Sequence, residues 1–221
     1  MQPENFHKTD NRVYDYSSWT IENREEYDYI IDLIKDGSRI VDLGCGNGSL
    51  MQRLISEKNC IASGMEISDS GVEVCRGKNL NVIKGSIDRQ LPYEDNAFDY
   101  AVCNVTIQMV MFPEKLLSEM KRVARYQVLS FPNFGFYKNR LQLLFKGVMP
   151  PKALFGYTWY NTGHIHMCSI KDFYALANAT GGLKIEKHIF VKTGSPLKNF
   201  LMQLFPNLFQ LYPVILLKKI N

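Results

Sequence analysis

The 221-residue sequence has no apolar run of the ~20 residues that a bilayer-spanning helix requires. Its opening stretch, MQPENFHKTDNRVYDYSSW, lacks the apolar core of a secretory leader, so a cytoplasmic protein is expected. The five cysteines, Cys45, Cys60, Cys75, Cys103 and Cys168, form no CxxC pair and keep no zinc-like spacing to histidine. Their odd number excludes a complete disulfide framework, leaving reduced, mostly buried thiols and no metal site. Repeats and low-complexity segments are also missing. Carboxylates are scarce in one half only. Residues 120–221 carry 14 Lys/Arg and 2 Asp/Glu, with no acid between Met120 and Lys171, whereas residues 1–119 carry 12 against 20. Helix-end charge and solvated surface account for part of this asymmetry. The sharper reading is a face for an anionic substrate or partner, because clustered positive charge attracts one before contact. No nucleic-acid motif accompanies the basic half, so no nucleic acid is expected.

What is there is an alternation of elements in a chain of single-domain length. Asn23 and Glu26 have capping-box spacing ahead of a helix whose Tyr27, Ile30, Ile31 and Ile34 share a face. SRIVDL reads as a strand buried on both sides, followed by a helix with Leu50, Met51, Leu54 and Ile55 on one stripe. CIASGME, LNVIKG, AFDYAVCN and QVLSFPN continue the strands, with a Pro113-initiated helix before the last. A helix from Ser169, a strand LKIEKHIFV and a final strand YPVILLKK follow. Pro213 predicts an edge or near-edge place for that final strand. Alternating strands and helices imply a parallel sheet covered by helices.

Ligands of such sheets bind beyond the C-terminal strand ends. There VDLGCGNGSL supplies Gly44, Cys45, Gly46 and Gly48 directly after the first strand, so the backbone is able to approach a ligand closely. Glu66 ends the second strand, placed to accept from both hydroxyls of a ribose. A tight turn without ligand is the plain alternative. NAD also wants an acid at this distance, but its G-x-G-x-x-G spacing is absent, since position 49 is serine.

DLGCGNG followed by an acid closing strand two resembles motif I and the ribose acid of class I S-adenosylmethionine-dependent methyltransferases. Carried over by position, the glycine loop (Gly44, Cys45, Gly46, Gly48) would pack on the methionine moiety of S-adenosyl-L-methionine. Asp42 would support the loop and the ligand's amino group. Glu66 would hold the ribose, and Ile67 would pack on the adenine. The segment KGSID, with Ser86 and Ile87, stands where that family often has an acid for the adenine amino group, and Asp88 is placed to compensate. Asn104 would lie beside the methyl donor. A narrower likeness runs from about residue 25 to 190. SFPN after strand five, WYNTGHIH and FPNL near residue 205 resemble the methionine biosynthesis protein W (MetW-like) family.

Together these imply an α/β, doubly wound Rossmann-like fold. Its seven-stranded sheet would be mostly parallel, with an antiparallel last strand and an insertion after strand five. One domain, 1–221, would carry an N-terminal lid or edge segment (1–22) and an acceptor-side insertion (133–168). The implied activity is methyl transfer, yielding S-adenosyl-L-homocysteine, to a small anionic or sugar-type acceptor. The alternative is a donor-binding companion of homoserine acyltransferase in methionine biosynthesis that transfers no methyl itself.

Methyl transfer from a sulfonium is an in-line displacement, so alignment and water exclusion matter more than a triad or metal. A base is needed only if the acceptor must lose a proton. His164 and His166 are the candidate bases, against the plain reading that one hydrogen-bonds structurally and the other packs under the aromatic cluster. Tyr160 is a further acceptor-side candidate, and Asn133 reads equally as a cleft-lining group or a turn residue. Lys138, Arg140, Lys146 and Lys152 are candidates for an anionic acceptor. Lys138 and Arg140 read equally as flanking a surface helix with the stripe Leu141, Leu144 and Phe145. Tyr14, Tyr16 and Trp19 either form a lid or pack at an edge. NFLMQLFPNLFQLYPVILL raises membrane or partner docking, against the simpler reading of a short helix, a turn and a buried strand.

Overall fold

The computed structural model describes Tyr16 and residues 24–150, 158–160 and 162–220. Seven strands form one sheet: β1 (Arg39–Leu43), β2 (Ile61–Glu66), β3 (Val82–Lys84), β4 (Phe98–Asn104), β5 (Ala124–Ser130), β6 (Leu183–Phe190) and β7 (Pro213–Lys219). Their order is β3-β2-β1-β4-β5-β7-β6. The pairings among β1 to β5 are parallel. β7 runs antiparallel to both β5 and β6 and lies one place in from the edge, as its proline predicts.

The helices are α1 (Glu25–Leu33), α2 (Ser49–Lys58), α3 (Asp69–Gly77), α4 (Pro113–Val123), α5 (Tyr137–Lys146), α6 (Ile170–Thr180), α7 (Pro196–Leu204) and α8 (Pro206–Phe209). Strand periodicity divides them into two layers. Val41 and Leu43 join Leu116, Leu117 and Met120 of α4 and Phe173 of α6 in one core. Ile40, from the opposite face of β1, joins Ile30 and Ile31 of α1 and Leu50 and Leu54 of α2 in another. Each such side chain, fully buried, contributes about 1.5–3 kcal/mol, so both helical layers are anchored to the same central strands.

Helix starts follow local chemistry. Pro113 occupies the first turn of α4. Ser169 and Asp172 form a reciprocal capping box at α6. The start expected from Asn23 and Glu26 is corrected. The N-cap of α1 is Arg24, and Asn23 lies outside the described residues. Glu26 is buried, and its Oε1 accepts from Asn104 Nδ2 at 3.2 Å. A long-range polar contact has replaced the local cap.

The connection between β5 and α6 contains α5, whose C-terminal half is exposed, with Leu144 at 74% and Phe145 at 77%. Among the described residues, no helix is long and apolar enough to cross a membrane, and no group of three His, Cys, Asp or Glu is placed to hold a metal.

Candidate functional site

Strand order reverses at β1, whose neighbours are β2 and β4, and this opens a crevice beyond the strands' C-terminal ends. The loop after β1 is stitched to β2: Gly44 N–H and Cys45 N–H both donate to Met65 O, at 2.8 and 3.1 Å. Gly44, Gly46 and Gly48 have φ of 82°, 56° and 74°, a region that favours glycine. A Cβ on Gly44 would stand 2.6 Å from Thr106 Cγ2, so the chain after β4 presses directly on this loop.

Glu66 is buried at the end of β2, and its carboxylate organises the crevice floor. Oε2 accepts from Gly46 N–H at 2.8 Å and Oε1 from Ser68 N–H at 2.9 Å. The ring of Tyr16 covers this spot. A Cβ on Gly46 would meet Tyr16 Cε1 at 3.1 Å, and one on Gly71 would meet both Glu66 Cγ at 2.8 Å and Tyr16 Cδ2 at 3.1 Å. Tyr16 N–H donates to Ser70 Oγ at 3.2 Å, which ties it to the first turn of α3. Tyr14 and Trp19 lie outside the described residues, as does Lys152.

Asp42, 2% exposed, sits one residue before the end of β1. Its Oδ1 has no hydrogen-bond partner among the described residues. Burial, and then the nearby charge of Glu66, push its pKa up to about 7. A buried polar atom left unpaired costs about 1–3 kcal/mol.

The thiols here are shifted in opposite directions: the hydrogen bond with Cys45 holds Cys75 below its ordinary range, and Cys45 and Cys103 lie above it. A hydrogen bond with Cys75, and then burial, hold the Cys45 thiol well above its ordinary range. Burial pushes Cys103 up to about 12. Cys75 Sγ donates to Gly46 O at 3.3 Å and braces the loop from behind.

Ile67 leaves the end of β2 39% exposed, an apolar surface beside Glu66. Ile87 is instead buried in the α4-side core. Ser86 Oγ donates to Asp88 Oδ1. Asp88 Oδ2 accepts from Met111 N–H at 2.9 Å and Phe112 N–H at 3.2 Å. Asp88 is therefore committed to fastening the chain ahead of α4 and does not reach out in place of Ser86.

Asn104 ends β4 between two partners: its Nδ2 donates to Glu26, and its Oδ1 accepts from Ser130 Oγ. Val105 follows with φ of 57°. A β-branched residue in that region is an outlier, and such strain costs about 1–3 kcal/mol. Val105 N–H donates to Ser130 O at 3.0 Å and its side chain is buried, which holds the bend that sets Thr106 against Gly44. Glu26, Ser130 and Thr106 were not legible as site neighbours. Their roles depend on pairings across 26 to 78 residues of sequence.

On the acceptor side, Asn133 is corrected. It is fully buried, and its side chain is spent on structure. Nδ2 donates to Asn207 O at 3.1 Å and Gln210 O at 2.7 Å, and Oδ1 accepts from Gly135 N–H at 2.9 Å. Tyr160 is 71% exposed in a turn, with its ring edge-on to Trp159. His164 is buried, its Nδ1 3.0 Å from Thr162 Oγ1. His166 is half-buried, with Nε2 3.3 Å from Met111 O. Ile165 N–H and His166 N–H both donate to Gln108 O, so the segment is laid against the chain that follows β4. Gln108 was missed. Its buried Nε2 reaches Pro132 O at 3.0 Å and Cys168 Sγ at 3.1 Å, joining the segments after β4 and β5 to the chain ahead of α6.

Comparison with known proteins agrees with this architecture. Over 154 residues, 65% of the chain, it is 32% identical to the bifunctional methionine biosynthesis protein MetXA/MetW of Rhodopirellula baltica. Over 151 residues it is 25% identical to the demethylmenaquinone methyltransferase of Shouchella clausii. The matched region spans 25% of the first relative and 61% of the second, less than two thirds of either. Among solved structures, a chain of the complex between the Haloferax volcanii Trm112 methyltransferase activator and a methyltransferase superposes with a TM-score of 0.67. It is 13% identical and covers 95% of this chain and all of that one. The geranyl diphosphate C-methyltransferase of Streptomyces coelicolor, solved with S-adenosyl-L-homocysteine, superposes with a TM-score of 0.61. It is 15% identical, with 88% of this chain and 75% of that one covered. The sheet is thus that of Rossmann-like methyltransferases. Residues 24–217 match the family described as methionine biosynthesis protein MetW, and the chain belongs to that family.

Proposed function

We propose that this protein is a methyltransferase that binds S-adenosyl-L-methionine in the crevice between β1, β2 and β4 and methylates a small acceptor. The observation that carries the reading is the pair of buried carboxyls flanking the glycine loop, one with an unpaired oxygen. When bound, the donor supplies a methyl group on a positively charged sulfur, already activated for displacement. Asp42 Oδ1 meets the amino group of the methionine moiety. Gly44, Cys45, Gly46 and Gly48 bring backbone close to that moiety. Glu66 accepts from the ribose hydroxyls, Ile67 packs on the adenine, and Ser86 lies toward its amino edge. Asn104, held by Glu26 and Ser130, walls the methyl end. Tyr16 covers the bound molecule and keeps water out.

The acceptor enters from the side of residues 133–168. His166 is the better-placed base of the two histidines, because it is half-buried whereas His164 is enclosed beside Thr162. Lys138, Arg140 and Lys146 favour an anionic acceptor. The whole chain, 1–221, acts as one domain. A second reading is favoured by one observation, the relative named as a MetXA/MetW bifunctional protein. In it, the donor-loaded protein regulates a homoserine acyltransferase by contact and transfers nothing itself.

Calorimetry with S-adenosylmethionine, S-adenosylhomocysteine and NAD tests the ligand, and preference for NAD would reject it. Methyl turnover over candidate acceptors, with Glu66→Ala as control, separates the two roles. Turnover lost in the control supports the enzyme. Inactivity together with tight acyltransferase binding supports the companion.

A further inference from the structure

Two helices of this fold turn apolar faces to solvent. On α5, Leu141, Leu144 and Phe145 follow helical i, i+3, i+4 spacing, and all three are exposed. On α7, Leu197, Phe200 and Leu204 share a face in the same way and are each more than half exposed, and no residue of that helix is buried. An aromatic seam joins the two. Phe209 of α8 lies 5.5 Å from the ring of Tyr137, the first residue of α5, and 6.5 Å from the ring of Phe205, which closes α7. Exposed apolar area of this extent marks an interaction surface rather than a solvated one.

The charge around it identifies the occupant. Lys138, Arg140 and Lys146 line α5 and Lys198 lies on α7. No carboxylate occurs from residue 121 to 171 or from 187 to 221, so every charged side chain on both helices is positive. A second copy would bring like charge against like. Protein interface cores are depleted in lysine. An apolar stripe on helices whose only charges are Lys and Arg suits the headgroup–acyl boundary of an anionic bilayer. The helices are too short to span, with 10 and 9 residues, so they lie in the plane of the surface.

Topology sets the orientation. α5 follows the C-terminal end of β5, α7 follows that of β6, and antiparallel β7 starts beside them. The patch therefore shares the sheet edge that holds the crevice. We infer that α5 and α7 form a peripheral docking surface for anionic membranes, with the crevice edge facing the bilayer.

Co-sedimentation of the full chain with vesicles tests this. Binding is expected on phosphatidylcholine vesicles containing about a third phosphatidylglycerol, and to fall about tenfold on phosphatidylcholine alone or at high salt. Leu144→Asp with Phe145→Asp should lower the bound fraction about tenfold at unchanged circular dichroism, while Phe145→Trp retains binding. If the double variant misfolds, the charge reversals Lys146→Glu with Lys198→Glu replace it, with the same expected loss. Equal binding to both vesicle types, wild-type binding by the variants, or a solution dimer dissolved by Phe145→Asp would each overturn the assignment. So would exclusive capture of a protein partner by this face.

Discussion

The backbone N–H of Gly46 donates to Glu66 Oε2 at 2.8 Å. This bond makes the loop after β1 and the carboxyl that closes β2 a single unit, although 20 residues separate them. The other oxygen of Glu66 is held by Ser68 N–H, so the carboxylate is positioned before any ligand arrives. Preorganisation of this kind lowers the ordering cost of binding.

Glu66→Ala removes both anchors and the ribose acceptor together. S-adenosylmethionine affinity should fall at least about tenfold, or about 1.4 kcal/mol. Glu66→Gln keeps one acceptor oxygen and should lose less. Titration calorimetry on the two variants gives the comparison, and equal affinities for wild type and Glu66→Ala would remove Glu66 from the site.

Asp42 carries a pH signature. Its folded pKa, about 7, lies above the ordinary 3.8, chiefly through burial and then through Glu66. For an acid raised in this way, the folded state holds the proton that the unfolded state has released. Its contribution is therefore whole below pH 4 and is lost as pH rises through about 7. Asp42→Asn should melt higher than wild type above pH 7 and show little difference near pH 4. A bound ammonium group favours the carboxylate, so binding near pH 6 should release a proton. Calorimetry in buffers of different ionisation enthalpy detects that release, and Asp42→Asn should abolish it.

Two glycines separate backbone strain from packing. Gly37 and Gly44 have φ of 71° and 82°, but a Cβ on Gly37 meets nothing within 4 Å. Gly37→Ala should cost about 1 kcal/mol. Gly44→Ala should cost about 1–3 kcal/mol more, because its Cβ would strike Thr106. Adding Thr106→Ala should recover part of the loss in thermal unfolding, and identical costs at both positions would contradict the contact.

Asn133 should behave as a fastener rather than a catalyst. Its amide bridges Gly135, Asn207 and Gln210, so Asn133→Ala should destabilise by about 1–3 kcal/mol. Turnover per folded molecule should change little at low temperature. A large loss of kcat with unchanged melting would return Asn133 to the chemistry.

Tyr16 is the described residue of the N-terminal segment that reaches the crevice. Tyr16→Ala should speed donor dissociation about tenfold while Tyr16→Phe stays near wild type, since it is the ring that covers Gly46 and Gly71. Stopped-flow displacement by S-adenosylhomocysteine measures both.

Much of this was legible in one dimension because the signals are local. Short buried runs such as RIVDL, the apolar faces of α1 and α4, Pro113 and the Ser169–Asp172 box each act within one helix or one strand. The glycine loop and Glu66 could be read because the turn after a buried strand imposes backbone demands that few residues meet. Asn133 was ambiguous because its residue type suits a cleft as well as a turn or bracket. The choice depended on Asn207 and Gln210.

The sequence by itself determined the order of strands and helices along the chain, the glycine loop after β1 and the acid that closes β2, since each follows from neighbours along the chain. Only the tertiary structure decided that Glu26 leaves its helix start for Asn104, that Val105 bends Thr106 onto Gly44, and that Asn133 is spent inside. Those outcomes are set by which polar groups lose water together when distant segments close, and spacing along the chain does not encode that.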